Sequence, residues 1–134
     1  MKINDSNKAS TIVTESDTAQ ALADTIGGAF PAVYATSKMI ALMELSAAEL
    51  MAPLLKDGEL SVGVGVNIMH LAATPVGEEV TAQATYLGLS NKLYEFTVIV
   101  SDRGGVVGKG THTRAIINVG RMMSGTKKRL NTTD

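Results

Sequence analysis

Glu44 occupies a position at which an amphipathic helix would normally carry an apolar side chain. It projects beside Ile40 and Met51, and it lies roughly 80° around the axis from Thr36 and two turns further along. A carboxylate is able to act as a base or a nucleophile, and a nearby hydroxyl is able to hold it or a substrate. The alternatives are a rim carboxylate that reaches solvent and, for Thr36, a helix N-cap.

The helix that would position Glu44 is predicted over residues 37–55, where apolar residues repeat at helical spacing. On a wheel of about 100° per residue they form one stripe. Its members are Ile40, Met43, Ala47, Leu50, Met51 and Leu54.

His70 is a second polar residue in an otherwise apolar row. Residues 59–72 alternate with a period of two, which predicts a long strand with one apolar face. That face carries Val62, Val64, Val66, Ile68 and His70. His70 should therefore face the helix, where a hydrogen-bonded core histidine is an equally good interpretation. An acid on the helix margin and an imidazole in the facing row together favour a functional site.

Several other kinds of site are excluded or disfavoured. The chain has no cysteine, which rules out thiol catalysis, thiolate metal sites and disulfides. Gly108-Lys109 lacks the remainder of a phosphate loop, and Gly63-Val64-Gly65 lacks the third glycine of a dinucleotide site. Two histidines without a clustered acid pair predict no metal site, and no Gly-x-Ser-x-Gly elbow occurs.

Length and charge limit the class of protein. With 134 residues and 45% apolar content, the chain suits a single domain over residues 1–134. A net charge of −1 gives no reason to expect nucleic acid or an anionic membrane as a partner. No apolar run reaches the roughly 20 residues that span a bilayer, and the N-terminus lacks the apolar core of a signal peptide. These features predict a cytoplasmic protein.

The remaining elements predict an α+β fold. We expect a short strand at residues 11–14, an uncertain helical or irregular lid-like segment at 16–29, and further strands at about 80–86, 93–100 and 106–119. Tight turns between the strands predict an antiparallel sheet, which wraps around the one long helix. Residues 124–134 form a polar tail with Lys127, Lys128 and Arg129, expected to be solvated and mobile or, alternatively, to contact a phosphate.

Three segments carry a resemblance to a known family. They are AFPAVYATSKMIALME (29–44), HLAATPVGEE (70–79) and GTHTRAII (110–117). Together they resemble the hot-dog-fold acyl-CoA thioesterases, most closely the fluoroacetyl-CoA thioesterase group, and the likeness runs from about residue 11 to 123. The resemblance implies a curved antiparallel sheet around the long helix. It also implies acyl-CoA sites at the interface of a homodimer or dimer of dimers, and no cofactor beyond the CoA of the substrate.

The resemblance also implies a catalytic set of Thr36, Glu44 and His70. Glu44 would attack the thioester or activate a water, His70 would orient the reactants and protonate the leaving sulfur, and Thr36 would hold Glu44 or the carbonyl oxygen. Backbone N–H groups near the helix start or at Gly63 are candidates for the oxyanion hole. Phe30 matches a residue that gates the acyl pocket. Gly27 stands where the fluoroacetyl-specific group has a second bulky lid residue, so such a lid is not expected here.

His112 and Arg114 share one face of the last strand, and we expect both to point outward. The resemblance places this stretch near the CoA pantetheine and phosphates, which makes His112 and Arg114 candidate substrate contacts, with Arg114 on the CoA; the alternative for Arg114 is an exposed charge that restrains edge pairing. Two functions remain open: a thioesterase for a short acyl-CoA, and a non-catalytic acyl-CoA binding or sensing protein on the same scaffold. A hot-dog hydratase agrees less well with the spacing of Thr36, Glu44 and His70.

Overall fold

One antiparallel sheet of five strands organises the fold. The computed structural model of the protein describes residues 1–131. The strands are β1 (Ser6–Ile12), β2 (Glu59–His70), β3 (Glu79–Ser90), β4 (Leu93–Asp102) and β5 (Gly105–Asn118). They lie in the order β1-β3-β4-β5-β2, so β1 and β2 form the two edges. The helices are α1 (Ala19–Ile26), α2 (Thr36–Met51) and α3 (Val119–Asn131). The predicted α+β class, with a sheet around one long helix, is confirmed.

The long helix α2 packs across the inner face of the sheet. Its buried residues are Met39, Leu42, Met43, Ser46, Ala47 and Met51, while Ile40, Leu50 and Leu54 of the predicted stripe are only half-buried. The facing core residues are Val80, Ala82, Ala84, Phe96, Val98 and Val100. A Cβ on Gly108 would overlap the sulfur of Met39. Small residues on the sheet therefore let the helix approach closely enough to bury its methionines, each worth about 1.5–3 kcal/mol.

The helix is shorter than predicted because of a proline. It begins at Thr36 and ends at Met51, and a 3₁₀ turn follows at Ala52–Leu54. Pro53 has no backbone N–H to donate and its ring crowds the preceding turn, so α-helical geometry does not continue through it.

A β-bulge in β2 changes which residues face α2. Gly63 pairs with Arg114 and Gly65 pairs with Thr113, which leaves Val64 as an extra residue between them. Directly opposed residues lie on the same face of a sheet, so one extra residue reverses the alternation. Gly63 before the bulge and Val66, Ile68 and His70 after it therefore lie on the helix side. The predicted continuous row was wrong at Val62, which lies on the opposite face.

The N-terminal segment is more ordered than predicted. The first strand runs from Ser6 to Ile12 and pairs with β3 along the edge of the sheet, rather than occupying residues 11–14. The lid-like segment forms a 3₁₀ turn at Glu15–Asp17 and then α1. Thr18 caps α1 by accepting a hydrogen bond from Ala21 N at 3.1 Å. The C-cap residue of α1 is Gly27, whose φ of +88° is strained for residues with a side chain.

The C-terminal residues are exposed, as predicted, but they are helical. The side chain of Asn118 accepts a hydrogen bond from Arg121 N at 2.9 Å and so caps α3 at its start. The helix carries no buried residue over its length, Val119–Asn131. The last three residues of the predicted tail, 132–134, lie outside the described part of the chain. Across residues 1–131, the helices are all too short or too polar to cross a membrane.

Candidate active site

Thr36 and His70 form a hydrogen-bonded pair where the start of α2 meets the end of β2. Thr36 Oγ1 lies 2.8 Å from His70 Nδ1. The N-cap residue of α2 is Ala35, without a side-chain cap hydrogen bond, so the interpretation of Thr36 as an N-cap was wrong. Its hydroxyl is directed to the histidine instead.

This pair lines an open cavity of about 400 Å³, together with Pro31, Tyr34 and Leu71. His70 Nε2 is buried and finds no hydrogen-bond partner within residues 1–131. An unsatisfied buried polar atom costs about 1–3 kcal/mol. A ligand group that bonds to Nε2 would recover part of that free energy.

Glu44 forms an ion pair with Arg114. The distance from Arg114 Nη1 to Glu44 Oε2 is 3.0 Å, and the two side chains are 6% and 41% exposed, respectively. Arg114 also donates from Nε to Ser61 Oγ at 3.1 Å and from Nη2 to Ser61 O at 3.0 Å. The buried guanidinium of Arg114 therefore fixes the carboxylate of Glu44 on its protein side, while the carboxylate still reaches solvent.

The expectation that His112 and Arg114 point outward was wrong. Both are buried on the helix side of β5. β5 is an interior strand, in which Arg114 is paired with Tyr94 on one side and Gly63 on the other, so Arg114 is not a charge that protects a sheet edge. Alternation shows that the two residues share a face, but it does not show which face.

His112 connects Arg114 to the backbone of β2. Its Nδ1 lies 2.8 Å from Gly65 O, and because a carbonyl oxygen only accepts, Nδ1 carries the proton. Its Nε2 lies 3.2 Å from Arg114 Nη1 and accepts there. Burial lowers the pKa of His112, the hydrogen bond to Gly65 opposes that shift, and the positive charge of Arg114 lowers the pKa further. The neutral imidazole fits this position.

Gly63 lies against the carboxylate of Glu44. A Cβ on Gly63 would overlap Glu44 Oε2 and would lie 3.4 Å from His112 Cε1. A second cavity, of about 170 Å³, opens here at the edge strand and is lined by Ile40, Glu44, Val66 and the bulge. The missing side chain of Gly63 thus provides the space that Glu44 occupies.

The predicted catalytic residues form two groups along α2. Thr36 joins His70, whereas Glu44 joins Arg114, His112 and Gly63. Eight residues of helix separate the two groups by about 12 Å along the axis. Ser61, which anchors Arg114, was not predicted, because the apparent row through Val62 assigns Ser61 to the opposite face and only the bulge brings it to the helix side.

Phe30, the predicted gate, is 45% exposed and lies outside the residues that line these two cavities in the described chain. Its ring lies over Gly28, where a Cβ would be 3.1 Å from Phe30 Cε2. Its role as a gate stays a prediction. For metals, residues 1–131 bring together no cluster of three His, Asp or Glu side chains.

Solved structures share this architecture. A variant of the fluoroacetyl-CoA-specific thioesterase FlK in complex with fluoroacetate and CoA is 31% identical, with a TM-score of 0.85 over 91% of this chain and 99% of that one. A hot-dog-like protein from Thermanaerovibrio acidaminovorans, at 20% identity, has a TM-score of 0.85 over 99% of this chain and 96% of its own. The fold is therefore the hot-dog fold.

Sequence comparison leads to the same group of proteins. The fluoroacetyl-CoA thioesterase of Streptantibioticus cattleyicolor is 39% identical over 90 residues, which are 67% of this chain and 65% of that relative. The chain thus spans just under two thirds of that relative's length. Residues 13–120 match the FlK family of fluoroacetyl-CoA-specific thioesterases. Because that match covers most of the chain, the protein belongs to the FlK family of thioester hydrolases.

Proposed function

We propose that the protein hydrolyses a short-chain acyl-CoA thioester to the free acid and CoA, without a cofactor. The observation that carries this proposal is the Thr36–His70 hydrogen bond at the wall of an open cavity, which leaves the buried second ring nitrogen of His70 without a partner among residues 1–131. Family membership supplies the reaction class. The charge-paired, partly exposed carboxylate of Glu44 supplies the base or nucleophile.

The chemistry assigns a role to each group. Water adds to the thioester carbonyl carbon, the C–S bond breaks, and the thiolate of CoA takes up a proton. Glu44 either removes the proton from that water or attacks first to give a mixed anhydride, which water then hydrolyses. His70 donates a hydrogen bond from Nε2 to the carbonyl oxygen or protonates the sulfur, and Thr36 orients the ring through Nδ1. Because this pair lies about 12 Å along α2 from Glu44 of the same chain, these steps require the Thr36–His70 pair of one subunit and the Glu44 carboxylate of a second subunit to meet at one thioester. Backbone N–H groups at Gly63 or at the start of α2 stabilise the oxyanion.

A small acyl group fits the space beside Glu44. The cavity there holds about 170 Å³ and is bounded by Ile40 and Val66, which leaves little room for a long chain. A fluoroacyl preference does not follow, because Gly27 offers no side chain to a lid. The position of Arg114 does not support a role as a phosphate contact. Its guanidinium is buried, and its N–H groups already bond to Ser61, Glu44 and His112.

The proposed working form is a homodimer or a dimer of dimers. The edge strand β2 carries exposed apolar residues, including Val64 and Val66, beside the cavity of Glu44. Pairing of β2 with a second copy would cover them and would border both cavities with residues of the partner. The cytoplasmic location stays a prediction from sequence.

The test is release of free CoA from a panel of acyl-CoAs of increasing chain length. We expect the highest kcat/KM for chains of two to about four carbons, since the cavity is small. Saturable acyl-CoA binding without CoA release would instead support the alternative, a binding or sensing protein. Turnover that increases with chain length would contradict the short-chain assignment.

A further inference from the structure

His112 is a buried polar residue for which the proposed reaction has no direct use. It is 2% exposed and both ring nitrogens are engaged within the protein. A substrate contact, as predicted from sequence, would require one of these bonds to break. The ring instead lies between two parts of the site: the bulge of β2 at Gly65 and the guanidinium of Arg114.

We propose that His112 is a positioning residue, which holds the guanidinium of Arg114 in the orientation that fixes the carboxylate of Glu44. The inference rests on the proposed function, because loss of the His112 contact would lower turnover only if the carboxylate of Glu44 is the base or nucleophile. The path is a continuous series of hydrogen bonds: Gly65 O accepts from His112 Nδ1, His112 Nε2 accepts from Arg114 Nη1, and Arg114 Nη1 also donates to Glu44 Oε2.

The geometry makes the acceptor on Nε2 essential. Nη1 carries two hydrogens, and Glu44 and His112 take one each. Since the guanidinium is planar, fixing both hydrogens of Nη1 fixes the direction in which it meets the carboxylate. Two bonds to Ser61 hold the other nitrogens, Nε and Nη2. Without an acceptor at Nε2, a buried donor is left unpaired, and the guanidinium turns to find another partner.

Protonation of His112 would oppose this arrangement. The charged groups that face its ring are Arg114 from β5 and Glu44 from α2; β4 presents the ring of Phe96, with centroids 6.4 Å apart, and β2 presents backbone. A proton on Nε2 would place two donors against each other, 3.2 Å apart. Arg114 would then lose its orientation, and the carboxylate of Glu44 would no longer be fixed by it.

Two amide variants separate the two bonds of His112. His112→Gln places an amide oxygen near the position of Nε2 and keeps the acceptor for Arg114. His112→Asn places its amide near Nδ1, which keeps a donor for Gly65 but removes that acceptor. We expect His112→Gln to retain kcat within about threefold, and His112→Asn to lose at least about tenfold in kcat with KM changed less than threefold. Thr113→Ser, on the same strand but the opposite face, serves as the control.

A double-mutant cycle tests whether His112 acts through Arg114. Arg114→Lys removes the planar fork, so adding His112→Asn to it should cost little further activity. Crystal structures of the variants give a readout independent of turnover: the distance from Arg114 Nη1 to Glu44 Oε2 should lengthen in His112→Asn and stay near 3.0 Å in His112→Gln.

The outcomes are distinct. Equal losses in the Gln and Asn variants, a larger loss in His112→Gln, or additive effects with Arg114→Lys would overturn the positioning role. If His112→Asn fails to fold, the pH profile of kcat replaces it: the wild type should lose activity at acid pH through a group that His112→Gln lacks, and identical profiles would overturn the inference. An inactive wild type would instead refute the proposed function, leaving the crystallographic distances as the test of the contact itself.

Discussion

Arg114 and Glu44, 70 positions apart in sequence, meet with Nη1 3.0 Å from Oε2, next to Gly63 of the edge strand β2. The guanidinium is buried while the carboxylate reaches solvent. Exposed ion pairs contribute only about 0–1 kcal/mol to stability. Removing the counter-charge of a buried guanidinium destabilises the fold by more, because an unpaired charge is left in the interior. The arginine therefore keeps Glu44 in place, whereas the glutamate remains accessible to a substrate.

Replacing Glu44 by Gln should abolish most of the turnover. The amide keeps the shape and still accepts a hydrogen bond from Arg114, but it is neither a base nor a nucleophile. We expect kcat to fall by at least about a hundredfold while acyl-CoA binding survives, measured by CoA release and by calorimetric titration. Glu49→Gln on the exposed face of the same helix should leave kcat unchanged. Wild-type turnover in Glu44→Gln would remove Glu44 from the mechanism.

A methyl group on Gly63 should displace the Glu44 carboxylate. The added Cβ would overlap Oε2, so Gly63→Ala forces the side chain to rotate away from Arg114. We expect a loss of at least about tenfold in kcat, with a fall in unfolding free energy of about 1–3 kcal/mol. Gly125→Ala is the matched control, because a Cβ there meets nothing within 4 Å. Normal activity in Gly63→Ala would show that the carboxylate does not need its present position.

Thr36 and His70 should behave as one unit. Thr36→Ser keeps the hydroxyl and should retain most activity, whereas Thr36→Val removes the bond to Nδ1 and should lower kcat by about tenfold. His70→Ala should lower kcat more than it raises KM. Because the residues act together, the double variant should be little worse than His70→Ala alone. Additive losses in steady-state kinetics would mean that Thr36 acts on another group.

The pH dependence of stability should carry a contribution from His112. Its pKa in the folded protein is lowered from 6.5, so below about pH 6.5 the unfolded chain binds a proton that the folded chain rejects. Stability from this residue is therefore complete above that pH and declines as the pH falls towards the lowered pKa. Urea unfolding of the wild type and His112→Gln should show this difference only on the acid side. Parallel curves from pH 5 to 8 would contradict it.

Assembly should be coupled to activity. If β2 pairs with a second copy, the interface should bury at least about 1,000 Å² around a two-fold axis. Specific activity should then fall on dilution over the same concentration range in which sedimentation shows dissociation. A fully active monomer at assay concentrations would place the whole site within one subunit.

Much of the fold could be predicted from sequence because the patterns are regular. The helical repeat around Met43 and the alternation in four strands each have one dominant period, and the turns between strands carry glycine, proline or asparagine. The C-terminal helix was missed because residues 119–131 are mostly polar, although Met122, Met123 and Leu130 recur at helical spacing and remain exposed. Helix-forming residues and the cap at Asn118 form it.

The site was predictable in its residue types more than in its contacts. Glu44 and His70 were identified because each interrupts an apolar row, but the pairing of Glu44 with Arg114 joins distant segments and leaves no local signal. The orientation of Arg114 depends on which face of β5 is covered by α2, and alternation is the same in both cases. The bulge at Val64 was hidden because valines stand on both sides of it and continue the apparent row.

The bulge also determines where β2 tolerates a change in length. Val64 is the residue without a partner across the ladder, so its deletion would let Gly63 and Gly65 become neighbours and keep every other partner in β5. Deletion of any residue from Asn67 to Met69 would instead turn His70 to the opposite face, away from Thr36, unless the bulge disappeared at the same time. Natural relatives that differ by one residue in this strand should therefore carry that insertion or deletion at Val64.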